Sequence, residues 1–165
     1  MSTLRYLISL ALALAGVAHA AGTVEVKFVE PEKFSDAGRN TWDRERTLQA
    51  LTEHLQSLGK TLPDGQALRL TVTDIDLAGE LRPSRRGDEL RVMRGRADWP
   101  SMVLRYELLD AGGTLKSGDA RLADMAYQQS GPGKYQGLAY AYEMRMLDRW
   151  FKDDIVAAKS ARPQN

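Results

Sequence analysis

Six arginines crowd one short stretch of the chain. Arg82, Arg85, Arg86, Arg91, Arg94 and Arg96 lie between Leu81 and Ala97, opposed there only by Asp88 and Glu89. A guanidinium presents a planar fork of N–H donors that matches phosphate and carboxylate oxygens, so a surface segment of this kind can hold a lipid head group, an anionic glycan or an acidic protein. Trp99 follows directly and adds a large ring able to face the same partner. The bland alternative is that these arginines pair with the protein's own acids, each exposed pair contributing little. A second constellation is acidic. Asp74 and Asp76 put two carboxylates on one side of a strand, where with Asp98 and His54 they could ligate a divalent cation. The competing reading is a strand end whose aspartates accept backbone or arginine hydrogen bonds. Serine-nucleophile chemistry has no support, because His54 is the one histidine beyond residue 20 and no G-x-S-x-G turn accompanies it.

Composition narrows the classes further. The 165 residues include 23 Lys and Arg against 22 Asp and Glu, with no cysteine. Near-balance argues against a nucleic-acid-coating protein. The missing cysteine excludes disulfides, a thiol nucleophile, cysteine-ligated zinc and the lipid-modified cysteine of a lipoprotein. Residues 1–20 read as a cleavable signal peptide: Arg5, an apolar run from Tyr6 to Ala15, then Ala18-His19-Ala20 before Ala21. That run is short of the roughly 20 apolar residues that span a bilayer. The expectation is a periplasmic protein that is not a lipoprotein, with no transmembrane segment after cleavage. It has one domain over residues 21–159 and a frayed tail over 160–165.

The elements that must position these residues follow from hydrophobic periodicity. Val24, Val26 and Phe28 alternate with Glu25 and Lys27 as a strand. Asn40 caps a helix, with Asp43 three residues on and Leu48, Leu51, Leu55 and Leu58 along one stripe, ending at Gly59. Pro63-Asp64-Gly65 turns into a second strand through Leu68, Leu70 and Val72, whose alternation changes phase at Thr73-Asp74 and predicts a bulge or the strand end. Leu81 to Asp98 reads as a polar connection with a short strand at Leu90 to Met93. Met102 to Leu108 and Thr114 to Asp124 form a hairpin about Asp110 to Gly113. Tyr140, Met144, Leu147, Trp150, Phe151 and Ile155 form the stripe of a final helix. The order β-α-β-(β)-β-β-α predicts an α/β (α+β) two-layer sandwich: a mixed sheet of four to five strands with two helices on one face. Arg44 is expected to pair with Asp36 or Asp74, and Trp42 and Trp99 to cap the core or present a contact patch.

Several stretches carry a resemblance in the same order. They are Val24 to Phe28, Pro31 to Asp36, Asp43-Arg44-Glu45, Asp74 to Gly79, Ala97 to Pro100 and Tyr142 to Phe151. Over nearly all of the mature chain the sequence resembles a family of small exported bacterial proteins known as a domain of unknown function, DUF3016. The resemblance implies export and supplies no reaction, cofactor or site residue.

The functional expectation is therefore a non-enzymatic binding or adaptor module without a cofactor. Its partner is an anionic component of the cell envelope or an acidic protein, and nucleic acid is not expected. The alternatives are a metal-assisted hydrolase using Asp74, Asp76 and Asp98, and a structural subunit that pairs through a sheet edge.

Overall fold

The structure, a computed structural model, describes residues 21–85 and 89–157. Residues 1–20, expected to be a signal peptide, Arg86 and the tail 160–165 lie outside the described residues. Strand β1 (Thr23–Phe28) leads through a 3-10 turn at Pro31–Lys33 to helix α1 (Thr41–Gly59), then β2 (Ala67–Asp76). Two short strands, β3 (Glu80–Pro83) and β4 (Glu89–Val92), precede the long hairpin β5 (Ser101–Asp110) and β6 (Gly113–Ala123). A short helix α2 (Tyr127–Ser130) and a 3-10 turn lead into α3 (Ala141–Trp150), which runs on as π-helical turns over Phe151–Val156.

The main sheet is mixed, in the order β1-β2-β5-β6, with β1 parallel to β2 and the other pairs antiparallel. Leu68, Leu70 and Val72 of β2 and Met102, Leu104, Tyr106 and Leu108 of β5 are buried on one face. They form one core with Leu51 and Leu55 of α1 and with Met146, Leu147 and Trp150 of α3, so both long helices cover the same side. The opposite face is polar and open, with Glu25, Lys27, Arg69, Thr73, Arg105 and Glu107 exposed.

Local signals acted as expected at several points. Asn40 Oδ1 accepts the Asp43 amide at 2.9 Å, and α1 ends at Gly59. The phase change in β2 is a bulge at Thr73, where the register passes from Val72 opposite Leu104 to Asp74 opposite Val103. The extra residue returns Ile75 to the core, where it is fully buried. The main sheet has four strands, within the expected four to five, and β3 and β4 form a separate two-stranded hairpin. The segment Glu80–Pro83 is half-buried at best, so no apolar alternation marked it as a strand.

Candidate functional site

The β3–β4 hairpin and the loop that follows it carry the arginines, and two polar clasps hold them to the body. The first is Arg91. Its Nη1 donates to Asp36 Oδ2 at 2.8 Å and to the carbonyls of Ala78 and Gly79 at 3.3 and 3.0 Å. Asp36 itself enters the sheet: its amide donates to the Ile75 carbonyl, its carbonyl accepts from Leu77, and it bridges Asp76 in parallel beyond the end of β1. Gly79 lies at the crossing of these chains with φ 81°, and a Cβ there would stand 2.9 Å from the Val92 carbonyl. Only glycine fits both demands.

The second clasp is Asp98. Its buried carboxylate accepts the amides of Arg94 at 2.6 Å and Arg96 at 2.8 Å, while its carbonyl accepts from Gly79. Burial opposes its ionisation, but the two amides and the Tyr127 hydroxyl prevail and hold the carboxyl below its usual range. The Gly95 amide donates to that hydroxyl at 3.3 Å, and Tyr127 stacks edge-on against Tyr142. The backbone of residues 94–98 is thus fixed from beneath, and the Arg94 and Arg96 side chains stand outward, exposed.

The arginines divide into two sets. Arg82 pairs with Glu80 and Arg91 with Asp36. Arg85, Arg94 and Arg96 are exposed and make no ion pair among the described residues. Arg39 supplies a further cation on the same side, bound to Glu89 at 2.7 Å. Trp99 is half-buried at the end of the loop, whereas Trp42 is 63% exposed beneath the Arg46 guanidinium and caps no core. Arg44 does not take Asp36 or Asp74; its guanidinium reaches the Thr41 hydroxyl at 3.5 Å, and Arg91 holds Asp36 in its place.

The aspartates are dispersed in role. Asp74 accepts the Ser35 amide and hydroxyl at 2.7 and 2.9 Å, and Asp98 serves the arginine loop. Burial raises the Asp76 carboxyl above its usual value, with the charges of Asp36 and Asp74 adding to the effect and Arg91 opposing it. Among the described residues no group of three or more His, Asp or Glu side chains is arranged to hold a metal ion. His54 is buried between α1 and α3, with Nε2 at 3.0 Å from Asp148 and 3.2 Å from the Met144 carbonyl. Asp148 also accepts the Tyr135 hydroxyl and pairs with Lys134, so the turn before α3 is pinned to both helices.

Two buried charged groups escaped the sequence reading, and so did the true partner of Asp36. Asp36 is 55 residues from Arg91, and no spacing rule connects them. Asp124, at 3% exposure, stands between Arg149 and Arg145 of α3 at 3.3 and 3.6 Å. Glu143 is equally buried and accepts the Ala78 amide at 2.7 Å. The last had a readable signal: Glu143, Leu147 and Trp150 follow the i, i+4, i+7 spacing of one helix face, and all three are buried.

These features define an α+β domain with one open sheet face and an arginine-bearing hairpin clasped to its edge. The chain belongs to the DUF3016 family, described as a protein of unknown function, which matches residues 22–153. No curated protein matches the sequence. Among solved structures it is similar to one described as "a putative lipoprotein from Caulobacter crescentus CB15", at 21% identity over 84% of this chain and 93% of that chain. The TM-score of 0.29 is too low for that likeness to bear on fold or site. No helix among the described residues is long and apolar enough to cross a membrane.

Proposed function

We propose that the protein is an exported, non-enzymatic binding or adaptor module that acts in the periplasm after loss of residues 1–20. It offers the arginine segment 81–97, with Trp99, to an anionic component of the envelope or an acidic protein. The observation that carries this reading is the division among the arginines. Arg82 and Arg91 are paired internally, while Arg85, Arg94 and Arg96 stand exposed without an ion pair among the described residues. Guanidinium forks on a clasped loop match phosphate and carboxylate groups. Contact of this kind weakens as salt rises, since the screening length falls to about 10 Å at 0.1 M.

The test is cross-linking in intact cells of the tagged protein, comparing wild type with the triple variant R85S/R94S/R96S. All three side chains are exposed, so the variant should keep its fold and its melting temperature. Material captured by wild type and lost by the folded variant supports the reading and identifies the partner class. Equal capture by both overturns the assignment of this surface.

A further inference from the structure

A cavity of about 250 Å³ opens between the root of the β3–β4 hairpin and the segment entering α3. Leu77, Met93 and Leu138 contribute apolar wall, and Met93 and Leu138 are 41% and 59% exposed. Ligand sites are concave and mostly apolar with a few convergent polar groups, which is the composition of this lining. Two polar groups meet at one residue of its lining. Glu143 Oε1 accepts the Ala78 amide at 2.7 Å, and Arg91 Nη1 donates to the Ala78 carbonyl at 3.3 Å. Glu143 and Arg91 are the two charged residues of the lining.

The electrostatics select the ligand. Asp36, 2.8 Å from Arg91, already balances that guanidinium, and Asp76 lies beside Asp36. An added anion would face both aspartates, so a neutral acceptor suits the site better than a carboxylate. Tyr140, also in the lining, holds φ 58° with its hydroxyl bonded to Thr47 at 3.1 Å. That is a costly backbone conformation for a residue with a side chain, of the kind retained at ligand sites.

We propose that this cavity binds an acyl group, with a neutral ester or amide carbonyl between Glu143 and Arg91 and its apolar chain along Leu77, Met93 and Leu138. Burial pushes the Glu143 carboxyl above its usual value, against the pull of the Ala78 amide and Arg91, with Asp36 adding to the rise. In its neutral form that carboxyl is an O–H donor. An apolar cavity of about 150 Å³ takes a benzene, so this one suits a chain of roughly six to eight carbons.

The experiment is calorimetric titration of the purified protein with hexanamide, methyl hexanoate and hexanoate, across pH. The amide or the ester should bind, with hexanoate at least about tenfold weaker. Affinity for the neutral ligand should fall about tenfold as rising pH ionises Glu143, the loss of one hydrogen bond to a donor. E143Q keeps a donor at every pH and should bind without that dependence. A139W, at an exposed position in the lining, should fold normally and lose binding. Preference for ester points to a lipid source and preference for amide to an N-acylated one, and either supports the site. Equal affinity for hexanoate, unchanged binding by A139W, or no binding at millimolar ligand overturns it. The R85S/R94S/R96S protein should retain acyl binding, so this site and the arginine surface fail separately.

Discussion

The Arg91 clasp makes a quantitative prediction. Replacing Arg91 by Met keeps much of the aliphatic stem and removes the guanidinium. Three acceptors then lose a donor: the Asp36 carboxylate and the carbonyls of Ala78 and Gly79. Breaking a fully buried ion pair costs about 3–5 kcal/mol. Here both side chains retain 23% exposure, so water reaches part of the vacated site. Hydrogen bonds to charged groups contribute about 1.5–3 kcal/mol, and a cost of about 2 kcal/mol follows for R91M. For a domain of this size that lowers Tm by about 6 °C if the hairpin unfolds with the core. If the hairpin opens separately, the same energy appears as an approximately 30-fold faster amide hydrogen exchange of β3 and β4, with Tm unchanged. Denaturation and exchange should be measured together on R91M, D36N and the double variant. Since both single changes remove the same ion pair, D36N should cost little once R91M is made. Losses that add within about 0.5 kcal/mol would refute the coupling, as would an R91M protein equal to wild type by both methods.

Two further outcomes are expected. G79A should destabilise more than G65A: both glycines have positive φ, but the Gly79 Cβ would meet the Val92 carbonyl at 2.9 Å, whereas nothing lies within 4 Å at Gly65. Left-handed strain alone costs about 1–2 kcal/mol, so urea melts should place G65A within that range and G79A beyond it. His54 gives a pH dependence. Burial lowers its pKa from 6.5, against Asp148 and the Met144 carbonyl. The unfolded chain therefore takes up the proton first as pH falls, and stability should decline below pH 6.5 until His54 titrates in the folded state. Thermal melts of H54Q between pH 8 and 5 should lack that part of the decline; an unchanged profile would show that His54 does not contribute it.

Features set by local pattern were legible in the chain. Alternation in Leu68, Leu70 and Val72, its lapse at Thr73, the Asn40 cap and the Asp110–Gly113 turn each act within a few residues, and each appears in the fold. The helix stripe was placed correctly in outline, though Met146 is buried and Met144 only half-buried. The site was less legible because its organisation is polar and long-range. The six arginines look alike in sequence, and only tertiary placement separates Arg91, held by Asp36, from the exposed Arg94 and Arg96. In sequence Asp98 figures only as a ligand of the alternative metal site, whereas its carboxylate accepts two loop amides. No periodicity encodes such partnerships, since a hydrogen bond depends on where two distant segments meet.

The Asp98 clasp also bears on how tightly the loop can grip anything. Ordering a backbone costs about 1–2 kcal/mol per residue, and for residues 94–98 folding has already met that cost. A partner arriving at Arg94 and Arg96 has two long side chains left to immobilise, at about 0.5–1.5 kcal/mol each. The same arginines on a free strand of five residues would start several kcal/mol behind, which at 1.4 kcal/mol per decade is a deficit of about a thousandfold or more in affinity. A buried carboxylate outside the proposed contact surface would thereby set the entropy of recognition for a partner of that surface.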